Sequence, residues 1–175
     1  MSYYVAAAQD DFTEFYKANY SRVVTLVGAM VGDRHQAEDI AQEAFARALA
    51  RWPRIARYDL PEAWVRRVSL RLTIDASRRM RRAALMAPLL AGRPREDKSD
   101  PLAATAMTQA LMRLPLAQRQ VVVLYYLADL PVHEIARDCG ISDGAVRARL
   151  AVAKRRLERE LSEDDKDDKE VPDAR

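Results

Sequence analysis

A single cysteine, Cys139, occurs in the 175 residues. No disulfide can therefore form within the chain. The two histidines, His35 and His133, lie far apart in sequence and unsupported, so no Cys/His cluster able to hold zinc is present. Glycine is scarce, with 5 residues, and no stretch alternates apolar and polar residues long enough to read as a strand. The most apolar window, 121–130, is too short to span a bilayer. The opening MSYYVAAAQDD has no basic segment followed by an apolar run, so it does not read as a secretion signal. A cytoplasmic protein is expected, away from membranes. No nucleophile–base pair or carboxylate pair stands out, so an enzyme is the least favoured class, and nothing asks for a cofactor or metal.

Hydrophobic residues make up 49% of the chain, enough for a core, and abundant alanine and arginine favour helix throughout. The fold class expected is all-α: two small helical domains joined by a flexible linker, the second containing a helix-turn-helix. The net charge is only +3, but it is unevenly spread. Between Arg47 and Arg95 thirteen arginines face Asp59, Glu62 and Asp75, a balance of +10. From Glu158 to Arg175 nine acids face four bases, a balance of −5. A basic centre points to a nucleic-acid partner, and the acidic end is separately tuned.

The most informative stretch is Leu130 to Leu161, LPVHEIARDCGISDGAVRARLAVAKRRLEREL. Ile135, Ala136 and Cys139 share one face of a first helical pattern. Val146, Leu150, Ala153 and Leu157 share one face of a second. Gly140 suits the left-handed residue that ends a helix, and Ser142 is a good N-cap for the next. Small Ala136 allows a close crossing, while Ile141 and Val146 seal the corner, which is the layout of a helix-turn-helix. Gly144, Arg147, Ala148, Ala151 and Arg155 lie opposite the apolar stripe and would face a major groove. There Arg147 suits a guanine edge, and Arg149, Lys154 and Arg156 suit phosphates. Each feature alone also fits an amphipathic core hairpin with a solvated basic face; together, at this spacing, they favour DNA.

The rest of the chain divides around this stretch. Residues 1–10 read as an N-terminal extension. Asp11 and Glu14 suggest a capping box for a first helix, with Phe12, Phe15, Tyr16, Tyr20, Val23, Val27 and Met30 apolar, stopped by Gly32. Asp33 and Gln36 begin a second helix whose inward set is Ala37, Ile40, Ala41, Ala44, Phe45, Ala48 and Trp52, closed by Pro53. Its other face carries Glu38, Asp39, Gln42 and Glu43, which is either plain solvated polarity or a docking surface for a basic partner helix. A loop, 54–60, holds Tyr58. Pro61 opens a third helix with Trp64, Val65, Val68, Leu72 and Ala76 inward and arginines elsewhere. Arginines and an aromatic beside a loop suit single-stranded or distorted nucleic acid, although Trp64 alone fits a core better. The first domain spans 11–82. Residues 83–101, with Pro88, Gly92, Pro94 and Pro101, read as a linker. Residues 102–161 form the second domain: a helix to Leu114 with Ala106, Met107, Ala110 and Leu111 inward, then one from Pro115 to Ala128 with Leu116, Val123, Leu124 and Leu127 apolar, then the helix-turn-helix. The tail 162–175 is acidic and expected to be disordered.

From Asp11 to Leu161 the chain resembles the extracytoplasmic-function group of bacterial RNA polymerase sigma factors. GDRHQAEDIAQEAFARALARW resembles that family's polymerase-docking helix, and PEAWVRRVSLRLTIDASRRMRR its promoter-melting, −10-reading helix. LPLAQRQVVVLYYLADLPVHEIARDCGISDGAVRARLAVAKRRL resembles the −35-reading domain. The resemblance implies that Glu38, Asp39, Gln42 and Glu43 dock on core RNA polymerase. It implies that Tyr58 lines a pocket for a flipped −10 base, and that Trp64, Arg67, Arg71 and Arg78 meet the opening duplex. For −35 DNA it implies Ser142, Gly144, Arg147, Ala148, Arg149, Lys154 and Arg155. Catalysis would belong to the polymerase. Family members are often held by an anti-sigma protein, which joins core polymerase and promoter DNA among the implied partners. Two positions depart from the pattern. Ser69-Leu70-Arg71 stands where the family commonly has alanine, arginine and asparagine. Ala151-Val152 stands where a large side chain and an arginine are frequent.

Two other readings are possible from the residues. An autonomous helix-turn-helix regulator would be a dimer on a palindrome, but no heptad seam or ligand-pocket signature is visible. A protein-interaction adaptor would use the same helices without DNA.

Overall fold

The computed structural model describes residues 2–86 and 105–167, with side chains at 10–86 and 105–162. Among the described residues every regular element is helical, as expected. The chain divides into two compact units, Met1–Lys98 and Ser99–Arg175.

The first unit contains α1 (Ser2–Val31), α2 (Arg34–Leu49), α3 (Trp52–Ile55) and α4 (Pro61–Met86). The α1–α2 corner follows the expected chemistry. Gly32 sits at φ 77°, and its N–H bonds the Gly28 carbonyl at 2.8 Å. Asp33 is extended, and its carboxylate accepts the Gln36 N–H at 3.0 Å. The start of α1 does not follow it. The helix already runs from Ser2, so Asp11 and Glu14 form no capping box. Residues 2–10 contain neither glycine nor proline and include three successive alanines, so nothing in them interrupts the helix. The end of α2 also differs: it stops at Leu49, and Trp52 opens the separate turn α3, with Pro53 in its first turn. Proline is tolerated there because that N–H has no partner within the helix.

The core of this unit is built on small residues. Ala37, Ala41, Ala44 and Ala48 are fully buried along α2, which lets α1 approach closely through Val23, Val27 and Met30. Phe45 fills the remaining space, with its ring centroid 5.0 Å from Tyr16 and 5.9 Å from both Phe15 and Tyr20. Such aromatic pairs contribute about 0.5–1.5 kcal/mol each beyond area burial. In α4 the buried line is Ala63, Val65, Ser69, Leu70, Thr73 and Ala76; Trp64, Val68 and Leu72 flank it, half-buried against the core. Ser69 and Thr73 are buried at no polar cost, because their hydroxyls donate to the carbonyls of Val65 (3.0 Å) and Ser69 (2.9 Å).

The second unit contains α5 (Ala106–Arg113), α6 (Leu116–Val122), a π-helical turn (Val123–Leu127), α7 (Val132–Cys139) and α8 (Asp143–Asp167). Thr105 caps α5 through the Thr108 N–H at 3.2 Å. The π turn alters the expected pattern. Burial runs without a break from Gln120 to Leu124, across the end of α6, and the extra residue per turn of the π segment then shifts the register. Tyr125, Tyr126 and Leu127 then point outward, and Leu127, expected inside, is half exposed. Ala106 and Met107 are exposed as well, because α5 meets its neighbours one turn later, through Ala110, Leu111 and Leu114. Leu111 and Leu114 pack with Val122, Leu150, Ala153 and Leu157, which ties α5 and α6 to the middle of α8.

Helix α8 continues past Leu161 to Asp167, and α4 reaches Met86. Most of the expected linker, and the end of the acidic tail, lie outside the described residues.

Candidate nucleic-acid interface

The corner between α7 and α8 is set by three residues. Gly140 is left-handed, at φ 66° and ψ 38°, and its N–H bonds the Ala136 carbonyl. The Ile141 N–H reaches the same carbonyl at 3.0 Å. Ser142 then accepts the Ala145 N–H on its hydroxyl at 3.2 Å, while its carbonyl receives the Val146 N–H at 3.0 Å. Behind the corner Ile135, Ala136, Val146 and Ala153 are buried, and Leu150 and Leu157 partly so. The helix-turn-helix read from the sequence is therefore present in its expected register.

On the outer face of α8, Gly144, Arg147, Ala148, Ala151, Lys154 and Arg155 are all exposed, and Ser142 stands exposed at the helix start. Gly144, Ala148 and Ala151 make a low floor between the longer cations, shallow enough for a base edge to approach. Arg147 lies 4.0 Å from Asp143 one turn earlier, and Lys154 lies 3.8 Å from Glu158. Both pairs are solvent-exposed, so each is worth well under about 1 kcal/mol and gives way readily to a phosphate. Arg149 is half-buried toward α7. Burial pushes the Cys139 thiol up to about 11, and neighbouring Asp138 adds to this while Arg149 opposes it. Cys139 is thus a protonated, partly covered thiol that helps close the corner.

Two polar contacts that the sequence did not signal hold this unit together. The Arg119 guanidinium donates to the carbonyls of Met112 (2.7 Å) and Leu114 (2.9 Å), satisfying the end of α5, and burial lowers its pKa. Arg113 pairs with Glu160 of α8 at 2.6 Å. The first reaches back only five to seven residues, across the α5–α6 corner. The second joins residues 47 apart, which no local pattern reveals.

In the first unit the predicted residues fall into two groups. Glu38, Asp39, Gln42 and Glu43 share one side of α2, with Asp39, Gln42 and Glu43 exposed. Glu38 pairs with Arg34 at 2.9 Å and Glu43 with Arg47 at 2.7 Å, so the face is acid flanked by base rather than a uniform negative field. The second group runs from the α3–α4 connection along α4. Residues 56–60 are exposed without interruption, and Tyr58 is 38% exposed. Arg71 and Arg78 are exposed on α4; Arg67 is half-buried, its Nε donating to the Ala63 carbonyl at 3.1 Å. Trp64 is packed against the core and offers only part of its ring. At the Ser69-Leu70-Arg71 departure, Ser69 and Leu70 are core residues, and only Arg71 reaches solvent. At the other departure Ala151 is exposed and Val152 half-buried. Among the described residues no group of metal-ligating side chains occurs, and no helix is long and apolar enough to cross a membrane.

The two units match two family descriptions in order. Residues 15–83 match Sigma-70 region 2, and residues 104–157 match Sigma-70, region 4. The chain is 30% identical over 160 residues to the ECF RNA polymerase sigma factor SigM of Mycobacterium tuberculosis, covering 90% of this chain and 81% of that one. It is 30% identical to the RNA polymerase sigma-E factor of Streptomyces antibioticus, covering 90% and 88% of the two chains. It is 28% identical to the ECF RNA polymerase sigma factor SigW of Bacillus subtilis, covering 87% and 90%. In fold it is similar to the sigma factor RpoE of Bartonella quintana, solved with the anti-sigma factor NepR, with a TM-score of 0.72 at 20% identity over 87% of this chain and 97% of that one. Two helical units in this order, a helix-turn-helix in the second, and relatives matched along nearly their whole length lead to one conclusion: the chain belongs to the extracytoplasmic-function group of RNA polymerase sigma factors.

Proposed function

We propose that this alternative sigma factor works through three surfaces. The α2 face of Glu38, Asp39, Gln42 and Glu43 docks on core RNA polymerase. The Tyr58 loop, with Trp64, Arg67, Arg71 and Arg78, takes the −10 element as it opens. The outer face of α8, with Ser142, Gly144, Arg147, Ala148, Lys154 and Arg155, and with Arg149 on its flank, takes the −35 element. In this reading 11–82 is the docking and −10 domain, 83–101 the linker and 102–161 the −35 domain. The observation that carries it is the exposed basic row of α8 on a correctly capped helix-turn-helix, in a chain whose other unit matches Sigma-70 region 2.

The division of labour has a physical reason. Each unit offers few base contacts, so neither should hold DNA tightly alone. Polymerase fixes both on one template and converts two weak events into one strong one. The free protein should bind promoter DNA weakly, with affinity falling steeply as salt rises. The bond chemistry of RNA synthesis then belongs to the polymerase, and this chain acts in the cytoplasm as a specificity subunit. An anti-sigma protein is a further expected partner, since the similar Bartonella factor was solved with one. The autonomous-regulator reading is set aside, because the relatives matched along most of their length are sigma factors.

Run-off transcription tests the proposal. The purified protein is added to bacterial core polymerase on fragmented genomic DNA, and the 5′ ends of new RNA are sequenced. Discrete starts sharing two upstream elements at one spacing are expected. A folded sample that forms no polymerase complex and yields no starts would overturn it.

A further inference from the structure

Residues 56–60 are exposed in succession, so this segment cannot place itself by burying its own side chains. It hangs between two anchors. Downstream, the Ala63 N–H bonds the Leu60 carbonyl at 3.1 Å as α4 begins. Upstream, the loop continues the single turn of α3: the Ala56 N–H bonds the Trp52 carbonyl at 2.9 Å, and the Tyr58 N–H bonds the Ile55 carbonyl at 2.9 Å. A helix of one turn has no stability of its own, and the N-cap residue Arg51 gives α3 no side-chain cap. The place of α3 therefore depends on its buried side chains, Trp52 and Ile55.

Trp52 is held by α1 on two sides. Phe12 meets it edge-on, with centroids 5.2 Å apart at 77°, and Phe15 lies over it at 4.8 Å and 34°. These contacts pack the ring in the core but give its N–H no partner. The direction is set by a polar contact: the indole Nε1–H donates to the Asp11 carboxylate at 3.2 Å, 41 residues away in sequence. Indole has a single donor, and a partly buried donor keeps its partner.

We infer that Asp11 is a positioning residue for −10 recognition: by holding the Trp52 indole it fixes α3, and through α3 the backbone of the loop that presents Tyr58. The inference rests on the reading of that loop as the −10 pocket. It gives a role to the acid at the start of the aromatic stripe, which the sequence suggested as a helix cap and the fold does not use as one.

The test compares Asp11→Ala, Asp11→Asn and Trp52→Phe with the unaltered protein, each in the Tyr58 and Tyr58→Ala backgrounds, as the complex with core polymerase. Two quantities are read: binding of a single-stranded −10 oligonucleotide, and permanganate reactivity of thymines in the opened promoter. Thermal unfolding and polymerase affinity are measured alongside. Asp11→Ala and Trp52→Phe are expected to weaken oligonucleotide binding about three- to tenfold, the part of a charge-assisted hydrogen bond that appears as loop order. Asp11→Asn, which retains an acceptor oxygen, should restore most of it. In the Tyr58→Ala background the Asp11 effect should vanish, since the loop then has nothing to present. If Tyr58→Ala weakens binding and Asp11→Ala does not, the inference fails while the loop reading stands. If Asp11→Ala acts equally in both backgrounds, or only through a lowered unfolding temperature or polymerase affinity, Asp11 is merely structural and the inference also fails. If Tyr58→Ala itself has no effect, the loop reading falls and the inference with it.

Discussion

The same substitution should have opposite signs at two glycines. Gly140 stands at φ 66° between α7 and α8, and a Cβ added there meets nothing within 4 Å. The cost of Gly140→Ala is therefore conformational and owes nothing to crowding. A left-handed non-glycine residue costs roughly 1–2 kcal/mol, and the stiffer unfolded chain returns about 0.4–1 kcal/mol. The net loss is about 1 kcal/mol, a fall of roughly 4–8 °C in the unfolding midpoint of a domain this small. Gly28 lies inside α1, where its Cβ would meet that of Ala37 at 3.7 Å, an ordinary contact. Gly28→Ala should stabilise the first unit by about 0.5–1 kcal/mol, because a glycine inside a helix forfeits that much. The two effects can be read separately. Both tryptophans, Trp52 and Trp64, are in the first unit, so their fluorescence reports that unit alone, whereas circular dichroism reports both. Gly140→Ala should lower part of the dichroism transition and leave the fluorescence transition in place. Gly28→Ala should raise the fluorescence transition. Gly140→Asn should cost less than Gly140→Ala, since asparagine tolerates this backbone region. Equal losses for Gly140→Ala and Gly140→Asn, or a destabilised Gly28→Ala, would refute the reasoning.

Three further outcomes follow from the site geometry. Asp39→Arg with Glu43→Arg should reduce affinity for core polymerase by about tenfold or more, measured by competition; the fold should persist, because losing the exposed Glu43–Arg47 pair and setting like charges at 39, 43 and 47 together cost only about 1–1.5 kcal/mol. Arg147→Ala with Arg149→Ala should abolish most −35-dependent transcription, with roughly 1–3 kcal/mol lost for a base contact and the salt slope of binding reduced by about one for each phosphate contact. Cys139, raised to about 11 in the fold, should be alkylated far more slowly in the native protein than in the unfolded chain at pH 9. The sign for stability is that of an acid whose folded form keeps its proton: the contribution is full below the ordinary thiol range and is lost as pH rises from 9.0 to about 11. Equal native and denatured alkylation rates would contradict this.

Local chemistry was legible wherever a residue's role depends on its immediate neighbours. Asp33 with Gln36, Gly140 and Ser142 act as caps and turn residues for reasons contained within a few positions of chain, and the structure uses them so. The alanine line of α2 and the Val146–Leu150–Ala153–Leu157 line of α8 were readable because helical periodicity alone selects a face. The exposure of Arg147, Ala148, Ala151 and Arg155 follows from that face, which is why most of the candidate −35 surface could be named in advance.

Periodicity failed where the helix itself changed. The π turn at Val123–Leu127 adds a residue that no pattern of apolar spacing announces, and it turns Leu127 outward with Tyr125 and Tyr126. Asp11 looked like a cap because capping chemistry was the only local use for it. Its partner is an indole 41 residues on, brought there by the packing of α1 against α3. The Arg113–Glu160 pair, 47 residues apart, belongs to the same class. The sequence by itself determined the helices, their corners and the side of α8 left for a partner, because those rest on backbone propensity and on repeats of a few residues. Only the tertiary structure decided which distant polar groups meet, and hence what steadies the Tyr58 loop, because a hydrogen bond between remote residues depends on where the packed core has placed both of them.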